Sequence, residues 1–469
     1  MNKQQILAQQ RKKLIAANLS EYADTVGELN WVTGAGARDA EGVRGSLIAG
    51  YGDMVTWLFS QTKPSLGPIS PGCRICGNGG WSCLFINGKC NCRCFYCPTA
   101  QDEISVPTTN HLPFSRAQDY SEYVNHFGFE GVSMSGGEPL LTADKTIEYI
   151  QTVRQKCGES IHIWMYTNGT LLTEEHVRKL KDAGLNEIRF DISAKDYDVE
   201  KLRLAVGRIP TVTVEIPAIP EDKETLLRMI PILQDVGVNH LNLHQLRLTP
   251  HNSRFLKSRG YTFLHGEKVT VLESELTALS ILKEACDNRW ALPINYCAFA
   301  YKNQFQRAAS RKRNAAFIMK SHESVTESGL IRSITLTGPS QRIMANAETL
   351  AAQNPEKTLW QISGNKEQIT IHPSLWSFLD KTDTCLSLTY SEAVLSPVLS
   401  YQNPFKEIRL DSGMKIYAEK RGRKHLNLDS DQMPLFEQRV IVTSHEPTPG
   451  ADPEFLNEEF ITPGLQDYF

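Results

Sequence analysis

Four cysteines fall within eight consecutive residues, the stretch CNCRCFYC at Cys90–Cys97. The chain has eleven cysteines, and seven of them lie between Cys73 and Cys97. The N-terminal residues show no continuous apolar segment of a secretory signal, so we expect the protein in the reducing cytoplasm. There, a dense cysteine cluster indicates metal ligands more often than disulfides. The spacing of the cysteines can then be compared with the ligand patterns of zinc and iron–sulfur sites.

A structural zinc site is one interpretation of this spacing. The pair Cys73-x-x-Cys76 and the pair Cys94-x-x-Cys97 are separated by seventeen residues. Two such pairs are typical of four thiolates that close a tetrahedral zinc shell. This interpretation leaves three cysteines without a role: Cys83, Cys90 and Cys92.

An iron–sulfur site is the competing interpretation. Cys90-x-x-x-Cys94-x-x-Cys97 offers three thiolates, which can hold three irons of a [4Fe–4S] cluster and leave the fourth iron open to a small molecule. With the aromatic Tyr96 before the last cysteine, this spacing resembles the signature of the radical S-adenosylmethionine (SAM) enzymes. In that family the signature follows the first strand of a barrel, and the resemblance places Tyr96 near the adenine of SAM. Cys92 is then a bystander.

A glycine-rich turn is the second motif of the resemblance. Ser135-Gly136-Gly137-Glu138-Pro139 follows a predicted strand. Glycines permit a close approach of the backbone, and a carboxylate beside them can accept hydrogen bonds from an ammonium group. In radical SAM enzymes this segment holds the amino group of SAM, so the resemblance assigns that role to Gly136, Gly137 and Glu138. Taken alone, the segment also fits an ordinary strand-to-helix turn.

Polar residues end three further predicted strands. The third strand ends in the segment Tyr166–Gly169, Asp191 and Ser193 end the fourth, and His244 lies on the sixth. Parallel α/β folds place their chemistry at the C-terminal ends of strands. The candidates for contacts with SAM or the substrate are therefore Thr167, Asn168, Asp191, Ser193 and His244. A simple Asn-Gly turn and satisfied polar groups at a barrel rim are the alternatives.

Four other cysteines have no role in this first site. Cys73, Cys76 and Cys83 precede the signature, and Cys297 follows the last predicted barrel helix. Since many radical SAM enzymes carry an auxiliary cluster, we hypothesise that these four thiols ligate a second iron–sulfur cluster. Buried thiols and a small zinc site are the alternatives.

The chain from about residue 84 to residue 246 alternates between strand-like and helix-like segments. Strands are predicted at 84–86, 131–135, 161–166, 187–192, 212–216 and 240–246, and the helices between them include 115–126, 144–156, 199–206 and 223–236. Six βα steps predict a parallel sheet with right-handed crossovers. We therefore expect an α/β fold with a partial (β/α)6 barrel, the radical SAM barrel of the family.

Three regions are predicted along the chain. They are a helical N-terminal segment at 1–72, the barrel with its upstream cysteine segment at 73–305, and a smaller β-rich or α+β C-terminal domain at 315–469. The tail from Glu446 onward is rich in proline and acidic residues, and we expect it to be mobile.

The resemblance implies an enzyme that binds a [4Fe–4S] cluster and SAM and takes an electron from a donor such as flavodoxin or ferredoxin. Cleavage of SAM would give a 5′-deoxyadenosyl radical that abstracts a hydrogen atom from the substrate. The motifs resemble those of uncharacterised relatives of pyruvate formate-lyase activating enzymes, which favours a protein or peptide substrate. Those activating enzymes carry Asp-x-Lys at the fourth strand, whereas this chain has Asp191-Ile192-Ser193 and a displaced Lys195. Activation of a glycyl-radical enzyme is therefore one candidate among several.

Two other functions stay open from the sequence. One is a radical SAM enzyme that acts on a small metabolite or RNA, and the other is a zinc or iron–sulfur protein without catalysis. A formal net charge of −3 gives no overall attraction to nucleic acid or an anionic membrane. No run of about 18 apolar residues predicts a membrane helix. The basic runs at 307–313 and 420–424 fit solvated faces better than an RNA site, and the substrate stays unnamed.

Overall fold

The computed structural model describes residues 3–22, 26–353, 358–442 and 454–469, which form two compact units. The barrel unit consists mainly of Gln9–Gln306, with Leu410–Met414 and Pro463–Phe469. The C-terminal unit consists mainly of Arg307–Arg409 and Lys415–Thr462. None of the helices within the described ranges is long and apolar enough to cross a membrane.

Seven parallel strands form the centre of the barrel unit, each paired with the next one along the chain. We number them β1 Trp81–Asn87, β2 Gly131–Gly136, β3 His162–Thr167, β4 Glu187–Phe190, β5 Thr211–Pro217, β6 His240–His244 and β7 Ile294–Cys297. The first six are the strands that the alternating pattern predicts, so the α/β class and the partial barrel are confirmed. Their C-terminal ends meet at one edge of the sheet, where the predicted site residues lie.

The seventh strand was not expected from the sequence. β7 has four residues, includes the polar Asn295 and follows Pro293, so hydrophobic periodicity gives no signal there. All four residues are buried, because β7 pairs with β6 on one side and with Lys63–Leu66 on the other. The strand brings Cys297 to the same level of the sheet as His244.

Helices follow the parallel strands, as predicted. Their bounds are Ala117–His126, Ala143–Cys157, Glu174–Asp182, Glu200–Arg203, Lys223–Val236 and Leu272–Asp287. Thr173 caps the third helix, since its hydroxyl accepts from the backbone N–H of His176 at 3.1 Å. The fourth helix is one turn instead of the expected 199–206. After that turn, backbone hydrogen bonds join residues three apart in the chain instead of continuing the α-helix. One of them runs from the Ala205 N–H to the Leu202 carbonyl at 2.9 Å.

The N-terminal segment contributes strands as well as the expected helices. Residues 1–72 contain the helices Lys3–Glu21 and Gly34–Ala49, but the strands Val55–Leu58 and Lys63–Leu66 extend the sheet beyond β7. Short strands at Asn30–Trp31, Thr108–Thr109, Leu112–Pro113, Thr262–Leu264 and Thr270–Val271 complete the barrel unit. The helical expectation for 1–72 is therefore corrected to a mixed segment, because 55–66 forms an antiparallel hairpin.

The C-terminal unit is an antiparallel sheet with helices, as the sequence predicts. Its strands are Ser324–Val325, Ile331–Thr337, Trp360–Ile362, Gln368–Ile371, Cys385–Ser396, Phe405–Arg409 and Lys415–Leu428. Its helices are Arg307–Ala315, Ser340–Gln353, Gln432–Phe436 and Leu456–Glu459. One core of buried aliphatic and aromatic side chains joins them, with Trp376, Phe436 and Phe455 at its centre.

The described part of the C-terminal tail is packed, although a mobile tail was expected from Glu446 onward. Residues 446–453 lie outside the described residues. Phe455 is fully buried in the C-terminal unit. Tyr468 is buried in the barrel unit, where its hydroxyl donates to Glu275 at 2.6 Å. The two buried aromatic rings hold this part of the tail in place. The expectation of a mobile tail was based on its proline-rich and acidic composition, which does not show where an aromatic ring is buried.

Candidate functional site

The signature cysteines lie on residues 88–101, which follow β1 and are called the cluster loop below. Cys90, Cys94 and Cys97 are partly exposed, and none of them forms a disulfide. The loop turns back on itself, since the Cys97 N–H donates to the Cys94 carbonyl at 3.1 Å. The Cys92 N–H donates to the Cys90 sulfur at 3.4 Å. Three thiols on one tight loop form the soft donor set that suits an iron–sulfur cluster.

The Cys90 thiol ionises more readily than an ordinary cysteine. Hydrogen bonds from the Cys92 thiol, the Cys92 backbone and the Asn168 amide lower the pKa of Cys90 to about 6, although burial opposes them. Burial raises the pKa of Cys94 to about 12 and also raises the pKa of Cys97. The hydrogen bonds therefore favour the thiolate form of Cys90, whereas burial favours the neutral thiols of Cys94 and Cys97.

The glycine turn after β2 packs directly against the start of the cluster loop. The Gly137 N–H donates to the Asn87 carbonyl at 2.9 Å, and the Glu138 N–H donates to the Lys89 carbonyl at 2.8 Å. A Cβ at Gly137 would lie 2.0 Å from the Lys89 carbonyl oxygen, so no side chain fits there. Gly136 has a φ of 114°, which favours glycine. Both glycines are therefore needed for this close approach.

The Glu138 carboxylate joins the glycine turn to the end of β3. Its side chain is 1% exposed. One oxygen accepts from the Thr167 hydroxyl at 2.8 Å and the Leu140 N–H at 3.0 Å, and the other accepts from the Asn168 N–H at 2.8 Å. Burial raises the pKa of Glu138 to about 7, although these hydrogen bonds lower it. The carboxylate thus holds two predicted motifs together, and its contact with the amino group of SAM stays a prediction.

Asn168 connects β3 to the cluster loop. Its side-chain Nδ2 donates to Asn91 Oδ1 at 2.9 Å and to Cys90 Sγ at 3.6 Å. Its Oδ1 accepts from the backbone N–H of Thr170 at 3.0 Å, which is consistent with this orientation of the amide. Asn168 therefore directs a hydrogen-bond donor at a sulfur that the signature assigns to the cluster.

Three polar side chains tie the cluster loop to the end of β4. The Tyr96 hydroxyl donates to Asp191 Oδ2 at 2.9 Å and lies 2.8 Å from Ser193 Oγ. Ser193 in turn donates to Asp191 Oδ1 at 2.6 Å. Burial raises the pKa of Asp191, and these hydrogen bonds partly offset the increase. The structure brings the three residues together, while their contacts with adenine, ribose or carboxylate stay predictions.

Two asparagines of the site were missed from the sequence. Asn87 ends β1, and its Nδ2 donates to the Glu138 carbonyl at 3.1 Å and the Thr142 hydroxyl at 3.0 Å. Asn252 donates to the Tyr96 carbonyl at 3.1 Å. A polar residue directly after an apolar strand is a signal for Asn87, but nothing in the local pattern singles out Asn252.

His244 lies at the end of β6, and the charged residues that act on it lie outside the cluster loop. Burial, helped by the nearby Lys302 ammonium, lowers the pKa of His244 to about 3, so the imidazole is neutral. Its other charged neighbours are Glu215 and Lys63. The structure places His244 at the end of β6, and its contact with a cofactor stays a prediction.

Three of the four cysteines of the second hypothesised cluster act on one another electrostatically, namely Cys73, Cys76 and Cys297. Burial raises the pKa of both Cys73 and Cys76. Cys83 is hydrogen-bonded to Ser133 and Ser135, and the four-cysteine cluster stays a prediction. Within the described ranges, no three histidine, cysteine or acidic side chains already surround one metal position, and this holds for both cysteine groups.

Comparisons with known proteins agree with the signature. The model of the radical SAM superfamily matches residues 84–246. A Methanocaldococcus jannaschii protein with the provisional name glycyl-radical enzyme activating enzyme is 31% identical over 278 residues, which is 56% of this chain and 72% of that protein. A Methanococcus maripaludis protein with the provisional name GTP 3′,8-cyclase is 34% identical over 164 residues. That match covers 34% of this chain and 51% of the cyclase, so the chain spans about half of its length.

Solved structures add little to these matches. The radical S-adenosylmethionine methyltransferase TsrM from Kitasatospora setae is 17% identical, with a TM-score of 0.29 and a coverage of 38% of each chain. A TM-score this low carries no argument about fold or function.

Proposed function

The chain belongs to the radical SAM superfamily, and we propose that Cys90, Cys94 and Cys97 hold the [4Fe–4S] cluster that this family of enzymes uses. When bound, the cluster and SAM would supply the reductive cleavage that gives a 5′-deoxyadenosyl radical for hydrogen abstraction. One observation carries the assignment. The ends of β2, β3 and β4, whose motifs were identified separately, all contact the cluster loop.

The residues of the chain then position the cofactors, while the cofactors supply the difficult chemistry. Glu138 fixes the glycine turn against β3, and Asn168 donates to Cys90. Tyr96 is held by Asp191 and Ser193. In the proposed complex, Gly136, Gly137, Glu138 and Thr167 receive the methionyl end of SAM. Tyr96 packs near its adenine, and Asp191 and Ser193 face the ribose or the carboxylate.

The ligand assignment is tested by counting metals. We expect the Cys90→Ala, Cys94→Ala, Cys97→Ala variant, purified without oxygen, to lose about four irons and four sulfides relative to the wild type. The matched control is the Cys157→Ala, Cys385→Ala variant, whose cysteines lie outside the cluster loop and should leave the count unchanged. An unchanged iron count in the first variant, or equal losses in both, would contradict the assignment.

For the substrate we propose a protein or peptide. The name of the Methanocaldococcus jannaschii relative, a glycyl-radical enzyme activating enzyme, supports this class. The Asp-x-Ser sequence at Asp191, in place of Asp-x-Lys, keeps the specific reaction open. A small metabolite is the second candidate, supported by the name of the cyclase relatives. The alternative of a protein without catalysis is set aside, since the superfamily consists of enzymes.

The substrate class is tested on extract of the source cells. The enzyme, SAM and a chemical reductant are mixed with the high-molecular-weight fraction of the extract, and 5′-deoxyadenosine is measured. We expect stimulation that is lost after protease treatment and kept after ribonuclease treatment. Stimulation by the low-molecular-weight fraction, or its loss with ribonuclease alone, would reject a protein substrate.

A further inference from the structure

One aromatic residue of the cluster loop has no part in the proposed function. Phe95 stands between Cys94 and Tyr96 in the chain. Its ring meets the Tyr96 ring edge-on, with the two ring centres 5.2 Å apart. Both rings pack against a buried apolar cluster whose members include Leu248 and Tyr261. Whatever holds the Phe95 ring therefore also holds the backbone between a proposed cluster ligand and the tyrosine proposed to face SAM.

A cation lies over the ring of Phe95. The guanidinium carbon of Arg259 is 3.6 Å from the centre of that ring, well inside the distance of about 6 Å at which a cation and an aromatic face attract each other. Arg259 lies between the helix Ser253–Lys257 and the strand Thr262–Leu264. The contact therefore ties the cluster loop to a segment that is far away in the sequence.

The position of the Arg259 guanidinium is itself fixed. Its Nη1 donates to Glu221 Oε1 at 2.9 Å, and the Tyr261 hydroxyl donates to Glu221 Oε2 at 2.6 Å. Although burial opposes ionisation, hydrogen bonds from Tyr261 and Arg259 lower the pKa of Glu221, so this carboxylate is charged at neutral pH. Glu221 follows the end of β5 in the short helix Pro220–Asp222. The chain of contacts thus runs from β5 through Glu221 and Arg259 to Phe95.

A second contact holds the same part of the cluster loop from the same distant segment. Asn252 is fully buried, and its Nδ2 donates to the Tyr96 carbonyl at 3.1 Å. Its Oδ1 accepts from the Thr249 N–H at 2.8 Å, which is consistent with this orientation of the amide. The segment 249–261 therefore holds Phe95 by its ring and Tyr96 by its backbone.

We propose that Arg259 is a positioning residue for the cluster loop, which holds the Phe95 ring by a cation–π contact while Glu221 holds Arg259 in place. This role rests on the proposed function, in which the loop carries the cluster and Tyr96 faces SAM. Arg259 acts through Phe95, and no contact with SAM is assigned to it. A fixed Phe95 ring keeps the adjacent Tyr96 in place for SAM.

The first test is the affinity of the iron-loaded, anaerobic protein for SAM, measured without a reductant. The side chain of Arg259 is 35% exposed, so its contact is of the weaker, solvent-exposed kind. We therefore expect Arg259→Gln to raise the Kd for SAM about two- to five-fold. Arg259→Lys retains a cation that can lie over the ring, so it should retain most of the affinity.

The matched control is Arg254→Gln, because the Arg254 guanidinium lies 4.5 Å from the centre of the Phe255 ring, outside the cluster loop. Its Kd for SAM should equal the wild-type value. The role of Arg259 would be overturned if Arg259→Gln bound SAM as tightly as the wild type, if Arg254→Gln lost equal affinity, or if Arg259→Lys bound no better than Arg259→Gln. A wild type that holds its irons but binds no SAM would instead contradict the proposed function, on which this role depends.

A double-mutant cycle with Phe95→Leu provides the second test, since leucine keeps an apolar side chain at this position and removes the aromatic face. If Arg259 acts through the ring, Arg259→Gln should change the Kd for SAM no further in the Phe95→Leu background. Independent effects of the two substitutions, which multiply in the double variant, would overturn the proposed contact. If Phe95→Leu does not fold, the comparison of Arg259→Gln with Arg259→Lys and Arg254→Gln decides the question.

Discussion

At the cluster loop, hydrogen bonds hold the loop in place and favour the charged form of one of its sulfurs. Asn168 donates to Cys90, whose pKa is lowered to about 6, and Tyr96 is held by Asp191 and Ser193. These side chains were identified as candidates for contacts with SAM. Their contacts in the structure show a second task, which is to fix the loop before any cofactor binds.

The Tyr96→Phe variant should loosen the cluster loop. It removes the donor to Asp191, and an unmade hydrogen bond to a buried group costs about 1–3 kcal/mol. We expect iron to be released to a chelator several-fold faster than from the wild type. The control is Tyr149→Phe, which removes a buried hydroxyl that donates to the Phe114 carbonyl at 2.6 Å, away from the loop. Equal release rates for the two variants would contradict the role of Tyr96.

Glu138 should make the stability of the fold depend on pH. Folding raises its pKa from 4.5 to about 7, so between these values the folded chain binds more protons than the unfolded chain. Its contribution to the free energy of unfolding is therefore largest below pH 4.5 and falls, by up to about 3 kcal/mol, as the pH rises through 7. Glu138→Gln does not titrate, so the midpoint of thermal unfolding of the metal-free variant should fall less over this window. Parallel profiles for variant and wild type would contradict the shift.

At the scale of elements, the ends of the parallel strands surround the cluster loop. β2 reaches the loop through two glycines that approach carbonyl oxygens of the residues leading into it. β3 and β4 reach it through side chains. Three strands of the sheet therefore hold the cluster loop. The contact at Gly137 is so close that no side chain fits there.

Gly137→Ala should displace the cluster loop, because the new methyl group would lie 2.0 Å from the Lys89 carbonyl oxygen. We expect less than half of the wild-type iron and a lower unfolding temperature. Gly42→Ala is the matched control, since that glycine lies in the helix Gly34–Ala49 with open space around it. Full iron content in Gly137→Ala would show that the loop does not depend on this contact.

The sequence predicted the six strands and the order of the motifs along them, because these depend on local periodicity and spacing. It did not predict β7, whose burial comes from pairing with distant strands. It also missed Asn252, which donates to the cluster loop from a distant part of the chain. These features depend on contacts between residues far apart in the chain, which no local pattern records.

At the scale of the whole molecule, the C-terminal unit carries the basic runs that could suggest an RNA partner. Several of these side chains are paired with acids of the same unit. Arg311 and Arg423 bind Glu392 at 2.8 Å and 3.0 Å, and Arg421 binds Glu419 at 3.0 Å. Much of the local positive charge is therefore neutralised within the unit.

We accordingly expect no steeply salt-dependent binding of a short single-stranded RNA. Proteins that neutralise many phosphates lose affinity sharply as salt rises, and these arginines already have carboxylate partners. The measurement is a binding titration at low and at physiological salt, with Arg421→Ala, Arg423→Ala as the comparison. Tight binding that weakens steeply with salt and is lost in this variant would show that the run is an RNA site.

We propose that the cluster loop positions SAM for reductive cleavage. This is tested by measuring the 5′-deoxyadenosine that the anaerobic protein forms from SAM with a chemical reductant. We predict product that depends on the reductant in the wild type and in Cys157→Ala, Cys385→Ala, and none in the Cys90→Ala, Cys94→Ala, Cys97→Ala variant. A wild type that holds its irons but forms no 5′-deoxyadenosine, or a triple variant that still forms it, would contradict the claim.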